Sequence, residues 1–163
     1  MNTSAIIFGI IVILIIVLPI VMLNTYRKKR EKRLFQQLAQ FAGNQHATVT
    51  LYEVWGTSAI GMDEAQNKLF FTKNIQGMEI FMIATLPEIE KCTINTITRM
   101  VRDNESNISV TDKLELVLRF IDKSKEDLIL PIYNAKTDSL TLSGELQLIE
   151  KWNTIINKSL KSK

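Results

Sequence analysis

The chain has 163 residues, a formal net charge of +3 and a hydrophobic fraction of 46%. Its one cysteine and one histidine exclude an intramolecular disulfide, a cysteine-based metal cluster and a pair of histidines for metal binding or proton relay. The length leaves room for one domain of about 120 residues beyond an apolar N-terminal segment.

The first predicted element is a transmembrane helix over residues 5–23, after a short extracytoplasmic N-terminus at 1–4. The run from Ala5 to Leu23 contains no charged residue. As a helix it would be about 28 Å long, close to the thickness of a hydrocarbon core of about 30 Å. A cleaved signal peptide is disfavoured, because no positive side chain precedes the run and no small-x-small cleavage site follows it.

A basic run follows the apolar segment and sets the predicted topology. Because Lys and Arg close to a transmembrane end stay in the cytoplasm, we expect the N-terminus outside and the remainder cytoplasmic, in a single-pass protein of the cell (inner) membrane. The run can also attract anionic lipid headgroups. The rest of the chain is mildly acidic, so no nucleic-acid partner is expected. The predicted anchor and topology residues are Tyr26, Arg27, Lys28, Lys29, Arg30, Lys32 and Arg33.

Residues 24–43 combine this basic run with an amphipathic helix. Leu34, Leu38 and Phe41 recur at spacings of four and three, which predicts one apolar face. Gly43-Asn44 is typical of a helix end. We expect this face to pack on the soluble domain, and the transmembrane helix to run directly into this one.

Residues 44–163 are predicted to form a β-rich domain that ends in a helix, which gives an α+β fold. Short segments rich in β-branched and aromatic residues are separated by turn sequences. LPEIE is typical of a single helical turn and RDNESN of a polar loop. The apolar spacing from Leu146 to Leu160 predicts a C-terminal amphipathic helix, with Ser143 as its N-cap. The predicted strands are ATVTLYEVW, SAIGMD, KLFFTK, MEIFMIA, KCTINTITRMV, KLELVLRFID and LILPIYNA.

The stretches IGMDEAQNKLFF and IFMIATLPEIEKCTI, with about seven strands before one terminal helix, resemble the pleckstrin-homology-like (PH-like) superfold. The chain is also similar to short bacterial proteins that join one anchor helix to such a domain. The resemblance implies a bent antiparallel sheet, or partly open barrel, plugged by the helix and used as a binding scaffold. Family members that bind phosphoinositides carry basic residues in the loop after the first strand, and WGTSAIG has none. The resemblance therefore implies no phosphoinositide site here.

No pattern of catalytic, cofactor-binding or metal-binding residues stands out. His46 is interpreted as a surface or capping residue, because the chain has no second histidine for a metal pair or a relay. Cys92 is interpreted as a small buried side chain, because Lys91 could lower its pKa but no histidine base accompanies it. We therefore expect a non-catalytic, membrane-tethered interaction or scaffold module with the lipid bilayer and a protein as its partners and no cofactor. The alternatives are a peripheral sensor of anionic lipid that uses residues 27–33, and an enzyme of unrecognised type.

Overall fold

The computed structural model describes residues 3–103, 106–139 and 141–161. The side chains of 3–14, 16, 20, 21, 24, 103, 106 and 107 are outside this description. Most of the predicted transmembrane segment, 5–23, therefore lies outside the described side chains. Among the residues that are described, no helix combines the length and the apolar character needed to cross a membrane.

The first element is one long helix, α1, which spans Thr3–Asn44 with Pro19 inside it. It continues without a break from the apolar segment through the basic run into the amphipathic part, as expected. Its end at Asn44 is the one predicted from Gly43-Asn44. The N–H groups of Gln45 and Ala47 both donate to the Ala42 carbonyl, so this carbonyl of the last helical turn has hydrogen-bond partners.

Over the described residues that follow, the chain forms seven antiparallel strands, a 3-10 turn and a terminal helix, so the α+β class is confirmed. Strands β1–β4 form one sheet in sequence order, and β5–β7 form a second sheet in sequence order. The elements are β1 (Leu51–Trp55), β2 (Ser58–Asp63), β3 (Lys68–Ile75), β4 (Met78–Thr85), η1, a 3-10 turn (Leu86–Glu88), β5 (Ile89–Asp103), β6 (Ser106–Phe120), β7 (Leu128–Asn134) and α2 (Glu145–Lys161).

Three local predictions need correction. RDNESN was predicted as a polar loop, but the β5–β6 pairing continues through it as far as Asp103 and Ser106. A two-stranded ribbon with both faces exposed tolerates polar side chains. An alternation of apolar and polar residues therefore does not show where its strands end. The first strand begins at Leu51, later than predicted, because the Thr48 N–H bonds to the Asp63 side chain. Helix α2 begins at Glu145, so Gly144, and not Ser143, occupies the position before it.

The main core lies between the two sheets, and α2 closes it. Trp152 and Ile156 of α2 are fully buried against Leu114, Leu116 and Leu118, which alternate along one face of β6. Burying each large apolar side chain contributes about 1.5–3 kcal/mol, so this layer supplies much of the stability of the domain.

A second, smaller core joins α1 to the outer face of the four-stranded sheet. Leu34, Leu38 and Ala42 are buried there with Ala59 and Phe70. The predicted packing of the amphipathic helix on the domain is confirmed.

Helix α2 also covers part of a sheet edge. The Asn157 side chain accepts a hydrogen bond from the Cys92 N–H at 3.1 Å and donates one to the Cys92 carbonyl at 2.9 Å. It therefore takes the place of a neighbouring strand at this point of β5. Among the described residues, the strand is paired on one side only, with β6, so its edge beyond Cys92 has no strand neighbour there.

Candidate binding cleft

The face of α1 that packs on the domain changes from apolar to charged towards the N-terminus. Arg27, Arg30 and Glu31 precede Leu34 and Leu38 at helical spacings of three and four, so all five lie on the same side of the helix. The two leucines are buried, whereas the three charged residues are exposed. Helix α1 and the domain therefore separate at the level of Glu31, and a cleft opens between them.

This cleft has a volume of about 610 Å³, which is in the range of small-molecule sites. One wall is the charged part of α1, and the other is formed by the β1–β2 turn and by the loop between β7 and α2. The second wall is rich in hydroxyl groups. The lining residues are Arg27, Arg30, Glu31, Trp55, Gly56, Thr57, Ser58, Thr137, Asp138, Ser139, Ser143 and Glu145.

A buried ion pair fixes the loop that forms this wall. The Lys73 ammonium, only 1% exposed, lies 2.7 Å from the Asp138 carboxylate and also donates to the Pro131 carbonyl at 3.1 Å. The same carboxylate accepts the Asn134 N–H at 2.9 Å. Such a pair is costly to break, because removing either partner leaves an uncompensated charge. The charge of Asp138 is therefore largely neutralised within the protein.

The other charged side chains of the cleft have fewer partners within the protein. No ion pair in the described part of the chain engages Arg27, Arg30 or Glu31. One oxygen of Glu145 accepts the Ser143 N–H. Two guanidinium groups and two carboxylates, Glu31 and Glu145, thus remain available to a ligand.

The remaining predicted topology residues lie around α1 outside this cleft. Lys28 and Lys32 line a neighbouring hollow with Tyr52. The rings of Phe35 and Tyr52 are in contact beside it, with 4.1 Å between their centroids. Lys29 lies with Tyr26, which is 63% exposed. Arg33 lines another hollow with Asn74 of β3 and Glu79 of β4. The structure therefore brings only two of the six predicted basic residues into the cleft.

The distal part of the β5–β6 hairpin forms an exposed two-stranded arm, defined here as residues 97–103 and 106–112. β7 pairs with β6 only from Lys113 to Leu118, so the arm extends beyond the sheet. An Arg99–Asp112 ion pair at 3.1 Å crosses it. Its exposed apolar side chains are Ile97, Met100, Val101 and Ile108.

The residues considered for catalysis lie apart from the cleft. His46 is exposed in the turn after α1, with φ 55°, and its carbonyl accepts a hydrogen bond from Gln66. Cys92 is 4% exposed, and burial raises the pKa of its thiol to about 12. Both interpretations, a surface residue and a buried small side chain, are confirmed. Within the described residues, no three His, Cys, Asp or Glu side chains are close enough to hold a metal ion.

Sequence reasoning missed the hydroxyl-rich wall and the placement of Glu31, Asp138 and Glu145 in the cleft. The helical phase of Arg27, Arg30 and Glu31 relative to Leu34 was a usable signal. The opposite wall had none, because it joins segments about 80 residues apart in the chain. No family model, no curated protein and no solved structure matches this chain.

Proposed function

We propose that this chain is a non-catalytic interaction module tethered to the bacterial inner membrane. Residues 5–23 would be the single anchor, with residues 1–4 outside the cell membrane and the domain of residues 44–163 on the cytoplasmic side. The apolar run and the basic residues after it support the anchor and its orientation. Two antiparallel sheets closed by α2 are consistent with a PH-like scaffold.

The observation that carries the proposal is the continuity of α1 from the apolar run to the sheet. The helix is unbroken over Thr3–Asn44, and its buried contacts begin at Leu34. Leu34 follows Leu23 by eleven positions, about 16 Å of helix. The headgroup layer on one side of a bilayer is about 5–8 Å thick. The domain would therefore be held close to the membrane surface in one fixed orientation, which suits a scaffold better than a flexible tether would.

The β5–β6 arm is the surface that we assign to a protein partner in this proposal. It combines an unpaired β5 edge with exposed apolar side chains, so an extended segment that carries apolar side chains could add to it as a further strand. The charged residues around it would limit non-specific pairing.

The test is photo-crosslinking in intact cells from single positions of the full-length protein. A photoreactive residue in place of Met100, which is 75% exposed, is expected to capture a discrete partner. The same residue in place of Ala65, an exposed position in the distant β2–β3 turn, is the matched control. Equal products from both positions, or none from Met100, would contradict a partner on the arm.

A second candidate function is the sensing of anionic lipid by residues 27–33. It is favoured by the exposure of all six basic side chains in this run. Binding of the protein to vesicles containing phosphatidylglycerol would then fall steeply as salt rises, since such attraction is screened within a Debye length of about 8–10 Å. Binding that is absent or insensitive to salt would exclude this function.

A further inference from the structure

We infer that the cleft between α1 and the β1–β2 turn binds a zwitterionic phospholipid headgroup that carries both a phosphate and a primary ammonium, as phosphatidylethanolamine does. This inference rests on the proposed membrane tethering, and it names the lipid that the membrane-proximal surface would recognise.

The level of the cleft fits a headgroup. Arg27 follows Leu23 by four residues, about 6 Å along a helix, and Arg30 follows by about 10 Å. With the apolar run in the hydrocarbon, these side chains would lie at the headgroup layer or at its outer border. The β1–β2 turn, with Trp55, Gly56 and Thr57, lines the cleft at this level.

The arginines supply the phosphate-binding part. Arg27 and Arg30 are one helical turn apart on the same side of α1, and no described ion pair occupies either guanidinium. Guanidinium groups bind phosphate through paired, charge-assisted hydrogen bonds. Thr57 and Ser139 on the opposite wall add hydroxyl donors for the remaining phosphate oxygens.

The carboxylates supply the ammonium-binding part and distinguish this cleft from an anion site. Because Lys73 neutralises Asp138, the available charges are the two guanidinium groups balanced by Glu31 and Glu145. A headgroup with one negative and one positive group matches this balance. A phosphatidylglycerol headgroup would bring no cation for the carboxylates, and a choline headgroup could donate no hydrogen bond to them.

The test compares the lipids retained by the full-length protein after detergent extraction, measured by native mass spectrometry with phosphatidylethanolamine, phosphatidylglycerol and phosphatidylcholine offered in equal amounts. We expect phosphatidylethanolamine to be preferred. The double substitution Arg27→Gln with Arg30→Gln should lower its retention about tenfold, the effect of losing charge-assisted hydrogen bonds. Glu31→Gln with Glu145→Gln should shift the preference towards phosphatidylglycerol.

The control is Lys29→Gln with Lys32→Gln. It removes the same number of positive charges from α1, but outside the cleft, and should leave the preference for phosphatidylethanolamine unchanged. Equal effects of the cleft and control variants, or a wild-type preference for another lipid, would overturn the inference. Soluble phosphoethanolamine is added as a further competitor, and partial displacement of the bound lipid is expected because it carries the headgroup alone. Full displacement of the lipid at equal concentration would argue against a lipid ligand. Extraction of the protein from membranes by alkaline carbonate would instead contradict the tethering itself, whichever lipid is bound.

Discussion

At the scale of single residues, buried polar groups connect segments that are distant in the chain. The Asp63 carboxylate, 2% exposed, accepts the N–H groups of Thr48 and Gln66 at 2.7 and 2.9 Å. These hydrogen bonds favour the ionised form, so they lower the pKa of Asp63 below its ordinary value of 3.8. A carboxylate with a lowered pKa in the folded state stabilises the fold above its unfolded pKa, and this contribution is lost as the pH falls through the folded pKa.

We therefore expect Asp63→Asn to destabilise the domain by about 1–3 kcal/mol at pH 7, because one backbone N–H loses its acceptor. The difference in unfolding free energy between the wild-type protein and the variant should shrink as the pH falls below about 4. Urea unfolding at several pH values measures this difference. A difference that stays constant down to pH 2.5 would mean that Asp63 contributes no pH-dependent stability.

Cys92 offers a second prediction at this scale. Because its thiol is buried and its pKa is raised to about 12, almost no thiolate is present at pH 8. Maleimide should modify the folded protein slowly and the urea-unfolded protein rapidly. An introduced Ala65→Cys, exposed in the β2–β3 turn, should react rapidly in both states. Rapid modification of Cys92 in the folded protein would show that the β5 edge opens readily near α2.

At the scale of elements, the docking of α1 depends on the absence of a side chain at Gly61 of β2. A Cβ atom there would lie 2.7 Å from Val49 Cγ1 and 2.9 Å from Leu38 Cδ2, both closer than carbon atoms normally approach. The small residue therefore lets α1 approach the sheet closely, and a larger residue requires the side chains of Val49 and Leu38, or the helix itself, to shift.

Gly61→Ala is expected to cost about 1–3 kcal/mol through overpacking between α1 and the sheet. Leu38→Ala alone should cost about 2–5 kcal/mol, and the double variant should be less destabilised than the sum, because truncating Leu38 removes one of the two close contacts of the new methyl group. Urea unfolding of the full-length protein in micelles measures all three. Gly43→Ala is the control: no atom beyond its own helix backbone and chain neighbours lies within 4 Å of the added Cβ, so it should not destabilise and should stabilise the helix by up to about 1 kcal/mol. Strict additivity would mean that the two sites do not share this contact.

At the scale of the whole molecule, the central prediction is the sidedness of the domain. A reporter that is active only in the cytoplasm, fused after Lys163, should be active, and one that is active only outside the inner membrane should be inactive at the same position. The physical reason is the basic run of residues 27–33, which resists transfer across the bilayer. The opposite pair of results would overturn the orientation and, with it, the cytoplasmic placement of the cleft and the arm.

Local patterns were sufficient to predict most of the elements. The alternation in KLELVLRFID predicted the buried face of β6, where Leu114, Leu116 and Leu118 lie in the core. The spacing of Leu34, Leu38 and Phe41 predicted the docking face of α1, because helical periodicity alone determines which side chains share a side. The length of the β5–β6 arm was missed, since its outer half packs on no core and carries no such pattern.

The sequence by itself determined the α+β class, the order of the elements and the long apolar run that defines the proposed anchor, because these follow from composition and short-range periodicity. Only the tertiary structure decided that Arg27, Arg30 and Glu31 face a hydroxyl-rich wall, that Lys73 neutralises Asp138, and that Asn157 covers the β5 edge. Each of these depends on contacts between residues far apart in the chain, and such contacts form only when the sheets and helices pack together.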